Sequence, residues 1–207
     1  MKIAVAQGIL QSHTYAKYRS IVTELVEKGI ATGNESTEAL VHYTQLNEAR
    51  MNRLDKKMVV SEENIQKLLT LKKHYVWLVL SEGWCGDAAQ ILPILNSMAS
   101  VSQHIDLKIA FRDENEALMN LFLTNGTKSI PKVLILEKDA AEVIGHWGPR
   151  PKGASDLIKS YKQQYGLIDE TAKTELQLWY LHDKGLSTQN EMVALMLQCE
   201  QLNLQTK

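Results

Sequence analysis

Residues 75–89 read YVWLVLSEGWCGDAA, and this stretch decides the fold. Residues 75–80 form an unbroken apolar run of strand length, rich in β-branched and aromatic side chains. Ser81-Glu82-Gly83 ends it as a turn. Trp84 and Cys85 follow, and Gly86-Asp87 leads into a helical pattern over 88–99. A cysteine between the carboxyl end of a strand and the first turn of a helix has a physical reason to be reactive. The free backbone N–H groups of that turn, and the helix dipole behind them, favour a thiolate over a thiol.

The rest of the composition narrows the setting. The chain has 207 residues, 44% hydrophobic and 23% charged, with a net charge of −1. These are ordinary figures for a globular protein, and without a long one-sign block nothing points to nucleic acid or an anionic membrane surface as partner. No stretch approaches the roughly 18 consecutive apolar residues of a membrane span. The first residues have a short apolar stretch broken by Gln7 and Gly8, so they read as part of the folded protein rather than a leader. Two cysteines do not make a disulfide framework, and a reducing cytoplasm is the simplest compartment.

Outward from the opening stretch, helical spacing recurs over 14–28, 38–54, 62–73, 114–123, 154–164 and 170–184. Residues 1–11 are a short apolar lead, and Lys57-Met58-Val59-Val60 has the pattern of a short strand. Ser61 reads as an N-cap, and Thr188 with Glu191 as a capping box opening the last helix. Pro93, inside the helix after the cysteine, should kink it. Residues 105–111 alternate as a strand. Residues 132–136 and 141–147 are close enough to pair as an antiparallel hairpin across a turn at 137–139. The charges of Arg50 and Arg53 fit a solvated helix face or an arginine reaching the cysteine. Glu82 reads as a solvated polar neighbour, His74 as surface or hydrogen-bonded structure, and Trp147 and Trp179 as core packing. Arg150, in the stiff loop Gly148-Pro149-Arg150-Pro151, is placed to present its charge to a partner.

At Trp84-Cys85-Gly86-Asp87-Ala88, and again at Ile130-Pro131, the chain resembles the thioredoxin family, in particular a single-cysteine bacterial thioredoxin-like group with a WCGD motif. The resemblance covers residues 57–165. It implies an α/β fold: a thioredoxin-like central mixed sheet flanked by helices. Residues 1–56 and 166–207 would be helical extensions packed into the same globular unit. It also implies that Pro131 follows a cis bond and faces Cys85, and that the residue before it pairs with an extended substrate. Cys85 would be the nucleophile, with Trp84, Gly86, Asp87, Ile130 and Pro131 forming the substrate surface.

Two departures narrow the chemistry. Ala88 stands where a dithiol thioredoxin has its second cysteine, and Val79 stands where the family has a buried acid. Cys85 therefore lacks a local resolving thiol, and Cys199 lies in an apolar helical stripe that suits a small buried hydrophobe. The expected activity is monothiol thiol–disulfide exchange with a disulfide-containing protein or a low-molecular-weight thiol such as glutathione. The alternative is a non-catalytic binding or chaperone-like module. No cofactor and no metal are expected. A working nucleophile calls for a pKa below the roughly 8.5 of free cysteine. The Asp87 charge opposes the helix terminus and leaves the sign of the net shift open.

Overall fold

The computed structural model describes residues 1–138 and 142–205, with side chains of residues 203–205 left aside. Four strands make one sheet: β1 (Tyr75–Ser81), β2 (Ile105–Phe111), β3 (Lys132–Glu137) and β4 (Glu142–Trp147), in the order β2-β1-β3-β4. β1 and β2 are parallel, while β3 is antiparallel to both β1 and β4. Every residue of β1 is buried. A strand covered on both faces needs a continuous apolar run rather than an alternating one, which is what residues 75–80 supply. Val79 sits mid-strand between Ile109 and Val133. The outer edge of β2 is partly closed by His13, whose backbone N–H and C=O both bond to Ile109 at 2.8 Å.

Around the sheet lie α1 (Lys2–Leu10), α2 (Tyr15–Glu27), α3 (Glu38–Lys57), α4 (Glu62–Leu69), α5 (Gly86–Val101), α6 (Glu116–Met119), α7 (Lys152–Tyr165), α8 (Glu170–Asp183) and α9 (Leu186–Gln205). α5 is the hub. It is buried almost all round and packs against α3, α4, α9 and β2. It continues past Pro93 to Val101 as one helix. Thr14, Thr37, Ser61 and Asp169 cap their helices by accepting the N–H three residues on. Each such cap contributes about 1 kcal/mol.

The structure corrects several expectations. Residues 57–60 form no strand. Met58 caps α3, Val59 is exposed, and the Val59 carbonyl finds a side chain instead of a strand partner. The Gln189 amide accepts from Ser61 N–H at 2.9 Å and donates to the Val59 carbonyl at 3.1 Å. The apolar lead is a helix, α1, with Val5 and Gly8 buried. The helix expected over 114–123 reduces to a 3₁₀ turn, Asp113–Asn115, and the four residues of α6. α4 ends at Leu69 rather than at residue 73. The Thr188 capping box does not form, because α9 already begins at Leu186 and Glu191 is engaged elsewhere. Its carboxylate accepts from Trp147 Nε1 and from the Lys152 N–H at the start of α7, both at 2.7 Å. The expected hairpin turn at 137–139 and the start of the last strand at Ala141 fall partly on residues 139–141, outside the described residues.

Candidate functional site

β1 delivers the chain straight into α5, so Cys85 becomes the N-cap residue of that helix. Its Sγ accepts from the Ala88 N–H at 3.4 Å and donates to the Ile130 carbonyl at 3.4 Å. The Ile130–Pro131 peptide is cis, as is Gly148–Pro149. The two proline loops are pressed together at Gly148, which has φ +106°; a Cβ there would lie 2.3 Å from the Pro131 carbonyl oxygen. Lys132 is buried between them. Its Nζ donates to Thr124 Oγ1 at 2.7 Å and to the Gly148 carbonyl at 3.4 Å. Trp84, Cys85, Gly86, Asp87 and Ile130 line one open cleft of about 330 Å³, with Pro131 buried next to Ile130. Arg112, Lys128 and Arg150 also line it, and the Arg112 guanidinium lies 4.9 Å from the centre of the Trp84 ring.

Thr32, ahead of α3, and Asn47, on α3, fix the loop that carries the cysteine. The Gly83 N–H donates to Thr32 Oγ1 at 2.8 Å, and Trp84 Nε1 donates to the Thr32 carbonyl at 3.1 Å. From the fully buried Asn47 on α3, Nδ2 donates to the Gly83 carbonyl at 2.9 Å. Arg50 Nη1 then donates to Asn47 Oδ1 at 2.7 Å. Asn47→Ala is expected to lower stability by about 1–2 kcal/mol, since it leaves a buried carbonyl unpaired. Denaturant melts and a change in tryptophan emission check it; unchanged values would show that the loop holds itself.

Cys85 is a protonated thiol in this setting. Burial is the main cause, the Asp87 carboxylate adds to it, and the Ala88 and Asp87 N–H groups together with Arg150 only partly offset them. The thiol is pushed up to about 12. The sign left open by the sequence is therefore upward, against the helix-terminus effect.

Asp87 itself is buried and doubly held. Tyr180 on α8 donates its hydroxyl to Oδ1 at 2.8 Å, and Arg150 pairs with Oδ2 at 2.7 Å. Arg150 thus pairs with Asp87 while still lining the cleft. Glu82 is likewise not solvated: it is fully buried, its Oε1 accepts from the Asp113 N–H at 3.0 Å, and burial raises its pKa. Arg50 does reach the neighbourhood of the cysteine. Its Nη1 lies 3.7 Å from where a Cβ on Gly86 would be, in a groove that also contains Trp84 and Asp87. Arg53 lies further along α3, away from the cleft.

Thr32, Asn47 and Tyr180 were not marked by the sequence as site residues. Cys199 is buried, with Sγ 3.6 Å from the Ile144 carbonyl on β4. Trp147 and Trp179 both pack against the core. Among the described residues no cluster of His, Cys, Asp and Glu is arranged to hold a metal ion. No helix among them is long and apolar enough to cross a membrane.

A mixed four-stranded sheet, with a cysteine capping the helix that follows its central strand and a proline loop facing the sulfur, defines a thioredoxin-fold protein. A family profile described as thioredoxin matches residues 33–162, well over half of the chain, and the protein belongs to that family. Among solved structures, one similar chain is a protein of unknown function from Pseudomonas aeruginosa, with 18% identity and a TM-score of 0.57 over 90% of this chain and 98% of that one. Another is an HIV epitope-scaffold, also 18% identical, with a TM-score of 0.55 over the same shares. At this identity they attest the fold alone. No curated protein matches the chain.

Proposed function

We propose that the protein carries out monothiol thiol–disulfide exchange at Cys85, on a substrate laid along Ile130–Pro131. The observation that carries this reading is the position of Sγ, between the Ala88 N–H and the Ile130 carbonyl in the wall of the cleft. Trp84, Gly86, Asp87, Ile130 and Pro131 form the substrate surface. Cys85 first loses its proton to solvent. The thiolate attacks one sulfur of a substrate disulfide, the new S–S bond forms as the old one breaks, and the second substrate sulfur leaves as a thiolate. Ala88 cannot resolve the mixed disulfide. A thiolate from glutathione or a partner protein attacks it instead and frees Cys85. The single-cysteine WCGD motif supports reading the chain as a monothiol member of the family.

The raised thiol pKa makes this a slow nucleophile at neutral pH. Below the pKa the thiolate fraction grows about tenfold per pH unit. Alkylation of Cys85 by iodoacetamide, measured in a Cys199→Ser background, should therefore climb steadily from pH 7 to 10 without a plateau. A plateau below about 8.5 would overturn the protonated resting state. The folded protein also keeps a proton that the unfolded chain loses in that range, so stability should fall as pH rises from about 9 towards 12.

The same raised pKa favours a second reading, a non-catalytic module that binds an extended segment in the cleft. Trapping under oxidation separates the two. Exchange predicts a discrete mixed disulfide that Cys85→Ser abolishes. Reaction no faster than that of the buried Cys199 leaves the binding module.

A further inference from the structure

We propose that a second cavity, between the end of α3 and the turn joining α8 to α9, binds a small single-chain amphiphilic carboxylate. The apolar chain lies inside and the head group rests on the cations at the rim. The cavity measures about 430 Å³, within the range of small-molecule sites. Leu54, Met58, Ile94 and Leu181 supply apolar wall, and Val59, 77% exposed, stands at the mouth. An exposed valine beside an open apolar cavity is surface that a ligand's chain would cover.

The charge at the rim is of one sign. Arg53, Lys57 and Lys184 line the cavity and are exposed, and no carboxylate lines it. Among the described residues none of the three forms an ion pair. The acids nearest in sequence are engaged elsewhere. Asp55 accepts from Tyr15 and pairs with Arg19, while Asp183 accepts from the Ser187 N–H and hydroxyl. Arg50, one turn back on α3, adds a further cation close to Arg53. In a chain of net charge −1, a local cluster of uncompensated cations produces a positive field that an anion would neutralise.

The backbone is shaped to present one of these cations. Lys184 has φ +54°, unusual for a residue with a side chain, and Gly185 has φ +80°. A Cβ on Gly185 would lie 2.7 Å from Ile94 Cδ1 and 3.0 Å from Met58 Cε. The turn can approach the apolar wall this closely only because residue 185 is glycine, and that approach brings Lys184 to the mouth. Apolar walls with a rim of unpaired cations match a carboxylate on an alkyl chain better than either half of that molecule alone.

Isothermal titration of the full chain with octanoate, octanol and octylamine, each below its aggregation threshold, tests the assignment. Octanoate should bind saturably at one site, with an affinity that falls as salt rises. Octanol should bind at least about tenfold more weakly, and octylamine should not bind detectably. Arg53→Glu with Lys57→Glu should weaken octanoate binding by about tenfold or more; both positions are exposed, so the fold should survive. Val59→Ser, also on the surface, removes apolar surface without changing the charge at the rim and should weaken it as well. Equal affinity for octanol and octanoate, no saturable octanoate binding, or binding unchanged in both variants would overturn the proposal.

Discussion

Asp87→Ala should make the protein less stable and Cys85 more reactive at the same time. The carboxylate is buried and satisfies both Tyr180 and Arg150. Its removal strands a tyrosine hydroxyl and a guanidinium that is only partly exposed. Breaking a fully buried pair costs about 3–5 kcal/mol; with Arg150 still reached by solvent, about 2–4 kcal/mol is expected. The effect on the thiol has the opposite sign. Asp87 is the second cause of the raised Cys85 pKa, and Arg150 works against it. Losing the negative charge and freeing the positive one both lower that pKa. Each unit of lowering gives about ten times more thiolate at neutral pH. Denaturant melts and iodoacetamide rates at pH 7.5 check both halves. A variant that is destabilised but no more reactive would mean that burial alone keeps the proton on Cys85. Asp87→Asn, which retains an acceptor for Tyr180, should keep more of the stability and still gain reactivity.

Gly148→Ala should be severely destabilising, although it adds one methyl group. The residue sits at φ +106°, and the new Cβ would meet the Pro131 backbone oxygen at 2.3 Å. Neither problem is relieved by a side chain turning away, because the obstacle is main chain. Backbone strain and overpacking together put the cost at about 2–5 kcal/mol. The loop that moves to relieve the clash carries Ile130, so the acceptor of the Cys85 thiol should shift with it. A thermal melt and the Cys85 alkylation rate read the two effects. Wild-type values for both would show that the proline loops are not mechanically joined. Gly166→Ala is a useful contrast. It is also left-handed, at φ +79°, but it faces open space, so only the strain should register.

The sequence yields the sheet and the helix carrying the cysteine readily because their signals are local. An apolar run buried on both faces, a strand alternating over 105–111 and a cysteine before a helical pattern each announce themselves within a few residues. Where the reading fails, the deciding partner lies far along the chain. Residues 57–60 look like a strand, but Gln189, 128 positions beyond Ser61, takes up the Ser61 N–H and the Val59 carbonyl. Thr188 and Glu191 look like a capping box, but Glu191 serves Trp147 and the start of α7. Glu200 accepts from the Lys72 N–H in the same way, just beyond α4. α9 therefore supplies side-chain acceptors for three segments of the core, which no window of local sequence reveals.

The site divides along the same line. Trp84, Cys85, Gly86 and Asp87 stand next to one another, and Ile130-Pro131 was found through its likeness to a known pattern. The side chains that set their conditions come from elsewhere along the chain. Thr32 and Asn47 hold the loop, Tyr180 holds Asp87, and Arg150 pairs with Asp87 because a buried carboxylate needs a counter-charge. A carboxylate after an apolar strand usually reaches water, whereas the N–H of the Asp113 turn meets Glu82 here.

The hydroxyl of Tyr180 on Asp87 has a bearing on how such proteins are sorted. Tetrapeptides around the cysteine are the usual label for thioredoxin-fold proteins, as if WCGD were a complete description of a thiol. Here the acid in that label is governed by a helix 93 residues further on. Two chains sharing the tetrapeptide but differing at the position of Tyr180 would carry the same label and hold its acid differently. A grouping by motif would have to compare α8 as well, because the hydroxyl that holds the motif's acid lies there.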